Sequence, residues 1–258
     1  MSSTDTPTAV GDAPTLAARR LDGLADRAAR ARPADDGDGP SGDPDAIDVF
    51  APATDERIGS VPACGADDVA AAVERARAAQ EAWAETPAAE RARIVERFGE
   101  LVADRREELL DVLQVETGKS RRTAVEELFD VPTGCSYVAS EAPDALAEER
   151  RRGVAPGITT ATVTREPVGV VGVISPWNYP LTLSMGDAIP ALAAGNAVVL
   201  KPDEKTPYGA LLLSELLEVA GLPDDLFQVV TGQGPTIGPP LIDAVDYVAF
   251  TGSTAVGR

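Results

Sequence analysis

Apolar positions change their spacing along this chain, and the change predicts two parts with different architecture. Over residues 69–113 apolar side chains recur at helical spacing, which predicts helices over 69–84, 87–103 and 107–116. From residue 169 onward, short runs of Val, Ile and Leu alternate with helical segments. Such runs are typical of parallel strands that helices cover on both faces. The predicted fold class is therefore α/β, with an N-terminal helical segment ahead of a parallel sheet.

The parallel part opens with the most informative stretch of the chain, residues 168–201, which predicts a strand, a sharp loop, a helix and a second strand. In all, strands are predicted over 169–174, 197–200, 228–230 and 247–250, and helices over 180–193, 208–220 and 236–243. Residues 157–166 are alternating and β-branched, which predicts a further strand with one face in water. This layout suits a nucleotide cofactor that lies across the carboxyl ends of the strands.

The region ahead of the three helices divides into a tail and a strand pair. Residues 1–46 are rich in Ala, Asp, Gly and Pro, and we expect a disordered acidic tail in which 16–32 is helical only transiently. The folded chain is expected to begin near Ile47, with 48–50 and 57–61 as antiparallel strands. A fourth helical region is predicted over 120–149, with breaks at Pro132 and Pro143. Residues 47–156 are thus expected to pack on a sheet domain that begins at residue 167.

Composition and charge exclude several classes of function. The 258 residues carry a formal charge of −19, and nucleic acid and anionic membranes both require basic patches, so neither is expected as a partner. No apolar run is long enough to span a bilayer and no signal peptide is recognisable, which predicts a cytoplasmic protein. The absence of histidine excludes a histidine-based triad or metal site, and the two cysteines give neither a disulfide framework nor a zinc spacing. The acidic, lysine-poor composition favours a salt-rich cytoplasm, with an ordinary acidic cytosolic protein as the alternative.

Three loops follow predicted strands and precede helices, at 175–178, 201–207 and 251–254. All three are expected to open at the same edge of the sheet, where doubly wound folds bind ligands. Residues 250–257 (FTGSTAVG) supply glycines that let backbone approach a phosphate where a helix starts. This edge is the predicted binding site.

Three polar side chains in these loops are candidates for function. Lys201 directly follows a strand, so its ammonium is placed to hold a ribose hydroxyl or a phosphate. Glu204 is placed to accept hydrogen bonds from ribose hydroxyls, and the alternative for both residues is a solvated salt bridge. Asn178 lies between two prolines and two aromatic residues, a rigid setting for an amide that donates to a developing oxyanion. Its alternative is a turn-forming asparagine.

Three motifs, in this order, resemble the NAD(P)-dependent aldehyde dehydrogenase superfamily. They are ISPWNYP at 174–180, AGNAVVLKP at 194–202 and FTGSTAVG at 250–257, with ETGK at 116–119 ahead of them. The resemblance runs from about residue 47 to residue 258. Within the superfamily, the segments ETGKSRR (116–122), EELFD (126–130) and QVVTGQG (228–234) most resemble succinate-semialdehyde dehydrogenases of the actinobacterial type.

The resemblance implies a Rossmann-like cofactor domain and a role for each matching residue. Asn178 matches the oxyanion-stabilising amide, and Lys201 and Glu204 match residues that bind the adenosine ribose. The loop along the cofactor is matched by Ile174, Ser175, Pro176 and Trp177. The turn and helix start near the adenosine and pyrophosphate are matched by Gly234, Gly238, Gly252, Ser253 and Gly257.

The resemblance also implies a cofactor and partners. An acid at the position of Glu204 implies NAD rather than NADP, because it repels the 2′-phosphate, and Lys205 beside it softens that preference. The implied partners are an aldehyde substrate and other copies of the same chain in a homo-oligomer. Residues 157–166 match the strand of the superfamily's oligomerisation arm.

The implied activity is oxidation of an aldehyde to a carboxylic acid by thiohemiacetal formation, hydride transfer and thioester hydrolysis. In the superfamily the general-base Glu and the nucleophilic Cys follow the glycine turn, and this chain ends before either. Cys64 and Cys135 match neither position and are expected to be small buried residues. We therefore expect an N-terminal portion that carries the cofactor-binding half and is inactive alone. The alternative is an inert interaction protein that docks on a full-length relative.

Overall fold

The computed structural model describes residues 20–21, 23–27, 46–155 and 157–258. Within residues 46–155 the chain first forms strands β1 (Ala46–Ala51) and β2 (Glu56–Pro62), which pair antiparallel as predicted. Within the described ranges, no helix combines the length and the apolar character that a membrane crossing requires.

Four helices follow the strand pair: α1 (Ala66–Glu85), α2 (Ala88–Asp104), α3 (Arg106–Thr117) and α4 (Arg121–Leu146). Helix α3 ends at Gly118, whose φ of 69° is the left-handed conformation that glycine adopts without strain. Helix α4 runs without interruption through Pro132 and Pro143, so the predicted breaks are wrong. Its apolar face packs against α2 and α5, and this tertiary contact outweighs the hydrogen bonds that the prolines remove.

An exposed hairpin separates the helical part from the sheet. Strand β3 (Glu149–Arg152) pairs antiparallel with β4 (Thr160–Val163), which lies inside the predicted strand 157–166. The sequence missed β3, because the run of charged residues lacks the β-branched pattern of a strand. Arg151 and Arg165 both pair with Glu149, and all four residues of β4 are exposed.

The second part is a four-stranded parallel sheet with the order β7-β6-β5-β8. Its strands are β5 (Val170–Ile174), β6 (Ala197–Lys201), β7 (Phe227–Val229) and β8 (Tyr247–Phe250), joined by helices α5 (Pro180–Ala193), α6 (Pro207–Ala220) and α7 (Gly234–Ala244). Helices α1 and α7 contact each other, α5 and α6 contact each other, and members of both pairs contact the sheet. The α/β class with a Rossmann-like parallel sheet is therefore confirmed.

The helical part and the sheet share one hydrophobic core. The indole N–H of Trp83 on α1 donates to the carbonyl oxygen of Leu192 at 2.9 Å, and the buried Arg91 guanidinium on α2 donates to that of Ala193 at 2.9 Å. Both contacts are made to carbonyl groups in the last turn of α5, and the carbonyl of Leu192 also accepts from the Gly195 amide at 3.0 Å. The N-terminal helices are thereby fixed against the sheet.

A short N-terminal helical segment at 20–21 and 23–27 departs from the predicted disordered tail. Leu21 and Leu24 are buried in the core, and Arg20 pairs with Glu108 of α3 and Glu215 of α6 at 2.5 and 2.6 Å. The two leucines lie at i, i+3 spacing, so both face the core from one side of the segment. The acidic partners of Arg20 on α3 and α6 stabilise the segment further. The rest of the predicted tail lies outside the described residues.

Candidate functional site

The carboxyl ends of the central strands meet at one edge of the sheet. Ile174, the last residue of β5, is in register with Lys201 of β6 on one side and Phe250 of β8 on the other. The ladder continues one step into the loops, where the Ser175 amide donates to the Lys201 carbonyl at 3.1 Å and the Thr251 amide donates to the Ile174 carbonyl at 3.0 Å. The loops at 175–178, 201–207 and 251–254 therefore begin side by side, as the sequence predicts.

This edge contains the topological switch point of the sheet. From the central strand β5 the chain proceeds outward to β6 and β7 and then returns to the other side of β5 as β8. The connection after β5 therefore crosses to β6 on one side, while β8 lies on the other side of β5. Ligands of doubly wound sheets bind at the carboxyl ends of the strands where the order reverses in this way.

Lys201 and Glu204 form an ion pair at this edge. The Lys201 side chain is buried (residue exposure 3%), and its Nζ donates to the Pro202 carbonyl at 2.8 Å and lies 3.7 Å from Glu204 Oε2. Burial lowers the pKa of Lys201, against the effect of the neighbouring carboxylates. The Glu204 side chain is 35% exposed, so its carboxylate reaches the solvent side of the loop. The pair is thus half-buried, and the alternative of a fully solvated salt bridge does not describe Lys201.

The loop after β5 is anchored at its start and open at its centre. The hydroxyls of Ser175 and Ser184 are 2.8 Å apart and both are buried. Trp177 is 52% exposed, and Lys205 Nζ lies 5.9 Å from its ring centroid. Asn178 is exposed, and its side-chain amide makes no hydrogen bond to any residue that the structure describes. Its donors are available to a ligand.

Gly234 and Gly238 lie on the first turns of α7, which follows β7. A Cβ atom at either position would meet no atom within 4 Å among the described residues, although Gly234 is half-buried and Gly238 is buried. The Gln233 side chain does not cap the helix start. The backbone amides at the start of α7 therefore differ from those at the starts of α5 and α6, which buried acids of the N-terminal helices cap, as described below.

The glycine turn after β8 packs around Phe250. A Cβ atom on Gly252 would lie 2.5 Å from Phe250 Cζ, and one on Gly257 would lie 3.2 Å from Cε1, so a larger residue at 252 would displace the ring. The Ser253 carbonyl accepts from the amides of Val256 and Gly257, each at 3.1 Å. Residues 251–258 form a turn in this structure, and the predicted helix start is not present in them.

Two buried acids at this edge were missed as functional residues. Glu116 accepts from the amides of Tyr208 and Gly209 at 2.6 and 2.9 Å and so caps α6. Burial raises the pKa of Glu116 to about 8, while the two backbone hydrogen bonds act in the opposite direction. Gly209 permits this approach, because a Cβ atom there would lie 2.9 Å from Leu181 Cδ2 and 3.4 Å from Glu116 Oε2.

Glu127 caps the start of α5 in the same way. Its Oε1 accepts from the Leu181 amide at 2.8 Å, its other oxygen is paired with Lys119, and its side chain is fully buried.

The sequence signal that could have identified Glu116 is an acid on the apolar side of a helix, since Glu116 follows Leu109 and Leu113 at helical spacing. A buried acid at such a position requires a partner, and a helix N-terminus is one of the few that satisfy it.

The sheet, its switch point and the loops at its carboxyl edge define a Rossmann-like, doubly wound α/β domain. The chain belongs to the aldehyde dehydrogenase family, whose family model matches residues 40–258.

Relatives agree with this assignment. The chain is 53% identical over 205 residues to a protein of Mycolicibacterium smegmatis provisionally named succinate-semialdehyde dehydrogenase [NADP(+)], an alignment that covers 80% of this chain and 40% of the relative. The crystal structure of succinate-semialdehyde dehydrogenase from Burkholderia pseudomallei matches with a TM-score of 0.79 and 37% identity, over 83% of this chain and 44% of that one.

A third match is the crystal structure of betaine aldehyde dehydrogenase from Staphylococcus aureus in complex with NAD+. It has a TM-score of 0.83 and 29% identity and covers 95% of this chain and 48% of that one. The present chain therefore spans less than half the length of these relatives.

Proposed function

We propose that the whole protein oxidises an aldehyde to a carboxylic acid with a nicotinamide dinucleotide as hydride acceptor, and that the aldehyde is succinate semialdehyde. The observation that carries this proposal is the position of the Lys201–Glu204 pair and the Asn178 loop at the ends of the neighbouring strands β6 and β5, at the switch point. The similarity to a relative named for succinate semialdehyde supports the choice of substrate. The 258 residues carry the cofactor-binding half of this activity.

The residues at the sheet edge fit a dinucleotide. Lys201 presents a buried ammonium and Glu204 a solvent-facing carboxylate, which together suit the donors and acceptors of a ribose. Neither Gly234 nor Gly238 carries a side chain that would keep a flat base or a phosphate from the start of α7. When bound, the dinucleotide accepts a hydride at its nicotinamide ring. The Asn178 amide, exposed on its loop, donates to the oxygen of the aldehyde as negative charge develops there.

The dinucleotide is proposed to be NAD, with NADP also accepted. Glu204 is negatively charged and repels a 2′-phosphate on the adenosine ribose, which favours NAD. Lys205 is exposed on the same loop and offsets part of this repulsion. Among the relatives, one is named for NADP and another was crystallised with NAD+.

We expect Glu204→Ala to weaken NAD binding about tenfold, because the variant loses a hydrogen bond to a charged acceptor. Glu204→Gln keeps the length of the side chain but removes the charge, so it is expected to reduce the difference in affinity between NAD and NADP. Lys205→Gln is expected to widen that difference. Titration calorimetry of both dinucleotides against each variant measures these changes.

Glu96→Gln is the matched control for this experiment, because Glu96 is an exposed acid on α2 and lies outside the site. It is expected to bind both dinucleotides as the wild type does. Equal affinity for NAD and NADP, unchanged by either Glu204 substitution, would contradict the proposal that Glu204 binds the adenosine ribose. Glu204 would then be an ordinary surface acid.

We further propose that the whole protein is cytoplasmic and assembles as a homo-oligomer through the exposed β3–β4 hairpin. An isolated two-stranded hairpin is only marginally stable in water, so a partner surface would stabilise it. The formal charge of −19 supports the exclusion of nucleic acid as a partner. A salt-rich cytoplasm remains a prediction from composition.

A further inference from the structure

Lys119 and Glu127 hold the segment that directly follows Asn178. The Lys119 ammonium pairs with one oxygen of Glu127 and lies 4.0 Å from the ring centroid of Tyr179. The other oxygen of Glu127 accepts from the Leu181 amide at 2.8 Å. Tyr179 is therefore contacted by Lys119, which directly follows the C-cap of α3, and Leu181 is held by the buried Glu127 of α4.

A second anchor fixes the loop ahead of Asn178. The Ser175 amide donates to the Lys201 carbonyl at 3.1 Å, and the Ser175 hydroxyl meets that of Ser184 at 2.8 Å. Only residues 176–178 lie between the two anchors, and Asn178 is the residue next to Tyr179. The direction in which its amide points thus depends on where Tyr179 is held.

The charges of the pair suit this task. Glu127 places a negative charge at the start of α5, where the unpaired amides and the helix dipole favour it. A buried carboxylate without a counter-ion is costly, and Lys119 supplies that counter-ion. Because the same ammonium lies over the Tyr179 ring, its attraction to the ring joins the buried pair to the exposed loop.

We propose that Lys119 is a positioning residue: through Glu127 and Tyr179 it holds the Asn178 amide in the orientation that meets the substrate oxygen. This inference rests on the proposed function, since the oxyanion role of Asn178 belongs to it. Lys119 touches neither substrate nor cofactor in this scheme and acts only through the loop.

The composition of the chain allows a direct test. The sequence contains two asparagines, Asn178 and Asn196, so labelling with ¹⁵N-asparagine yields two backbone amides and two side-chain amides in the NMR spectrum. Asn196 is an internal reference, because its amide donates to the Ala191 carbonyl at 3.0 Å and its side-chain oxygen accepts from Val168 and Gly169. Relaxation of the two residues reports the order of the loop and of the sheet separately.

In the wild type we expect the Asn178 backbone amide to be as ordered as that of Asn196, with an order parameter of about 0.85. In Lys119→Met the value for Asn178 is expected to fall to about 0.6 or below, with Asn196 unchanged. Tyr179→Leu removes the ring without touching the buried pair, so it gives the same result should Lys119→Met fail to fold. Lys119→Arg, which keeps both the charge and the stacking, is expected to restore wild-type order.

Unchanged Asn178 order in Lys119→Met and Tyr179→Leu overturns the proposal, as does an equal loss at Asn178 and Asn196, which would mark a general loosening of the fold. A Lys119→Arg variant as mobile as Lys119→Met also overturns it, because the cation would then not be what holds the loop. The measurement needs neither cofactor nor turnover. If the Asn178 order parameter falls in the variants as expected but the chain binds no dinucleotide, only the proposed function is rejected. If the chain binds dinucleotide but the Asn178 order parameter does not change in the variants, only the positioning role is rejected.

Discussion

We expect Glu116→Ala to lower the free energy of unfolding by about 2–5 kcal/mol, the largest effect of any single substitution discussed for this chain. Two backbone amides, those of Tyr208 and Gly209, lose their acceptor in this variant and remain buried. Each unsatisfied donor costs about 1–3 kcal/mol, and truncation also leaves a cavity between α3 and α6. The buried carboxyl group is itself costly to desolvate, so its removal offsets part of this cost. Urea denaturation followed by circular dichroism at pH 6 measures the difference.

The matched control is Glu100→Ala, because Glu100 is exposed on α2. It is expected to change the free energy of unfolding by less than about 0.5 kcal/mol. Equal stability of Glu116→Ala and Glu100→Ala would mean that the start of α6 does not depend on the Glu116 cap.

Glu116 also sets a pH dependence whose sign follows from its raised pKa. The ordinary pKa of the group is 4.5, and burial raises it to about 8 in the folded chain. Between these values the folded state binds the proton more tightly than the unfolded state. The contribution to stability is therefore full below pH 4.5 and is lost as the pH rises toward 8. Over this window it is on the order of 5 kcal/mol, since each pKa unit corresponds to about 1.4 kcal/mol.

Glu116→Gln isolates this contribution, because the amide does not titrate and keeps one oxygen for a backbone donor. We expect its stability to fall less than that of the wild type between pH 5 and pH 8, in denaturation curves at fixed salt. Parallel pH profiles for the two proteins would show that Glu116 has the same pKa in the folded and unfolded chain.

The second large effect is on activity: the 258 residues alone are expected to show no oxidation of succinate semialdehyde with NAD or NADP. A thiohemiacetal requires an accessible thiolate. Cys64 and Cys135 are both buried, and burial raises the pKa of Cys135 to about 12. Neither thiol lies in the loops at the carboxyl edge of the sheet, since Cys64 follows β2 and Cys135 lies within α4. The assay follows the absorbance of the reduced dinucleotide at high salt.

The full-length succinate-semialdehyde dehydrogenase from Burkholderia pseudomallei serves as the positive control for the assay. A chain in which both Cys64 and Cys135 are replaced by serine is the matched variant. Turnover by the wild-type chain that survives in this double variant would contradict the expected mechanism, because a nucleophile other than cysteine would be required.

Most of the sheet was predictable from sequence because its strands are buried on both faces. Continuous runs such as VVGVI in β5 and AVVL in β6 have only one stable environment, and the helices between them are long enough for parallel crossovers. The meeting of the loops after Ile174, Lys201 and Phe250 followed from the same reasoning, since parallel strands present their carboxyl ends at one edge.

Other features depend on contacts between distant segments, which local pattern does not reveal. Helix α4 passes through Pro132 and Pro143 because its face is packed on α2 and α5. Strand β3 forms because β4 pairs with it, and residues 20–21 and 23–27 are helical where Leu21 and Leu24 meet the core. Cross-strand pairing at β3, and tertiary burial in the other two segments, outweighs a local preference of about 1–3 kcal/mol.

The sequence by itself thus determined the α/β class and the edge of the sheet at which the three predicted loops meet. Only the tertiary structure decided how that edge is held together. It showed Glu116 and Glu127 at the starts of α6 and α5, 92 and 54 residues away in sequence from the amides they bind. The physical reason is that strand and helix formation depends on neighbouring residues, whereas the partner of a buried charge is chosen by the fold as a whole.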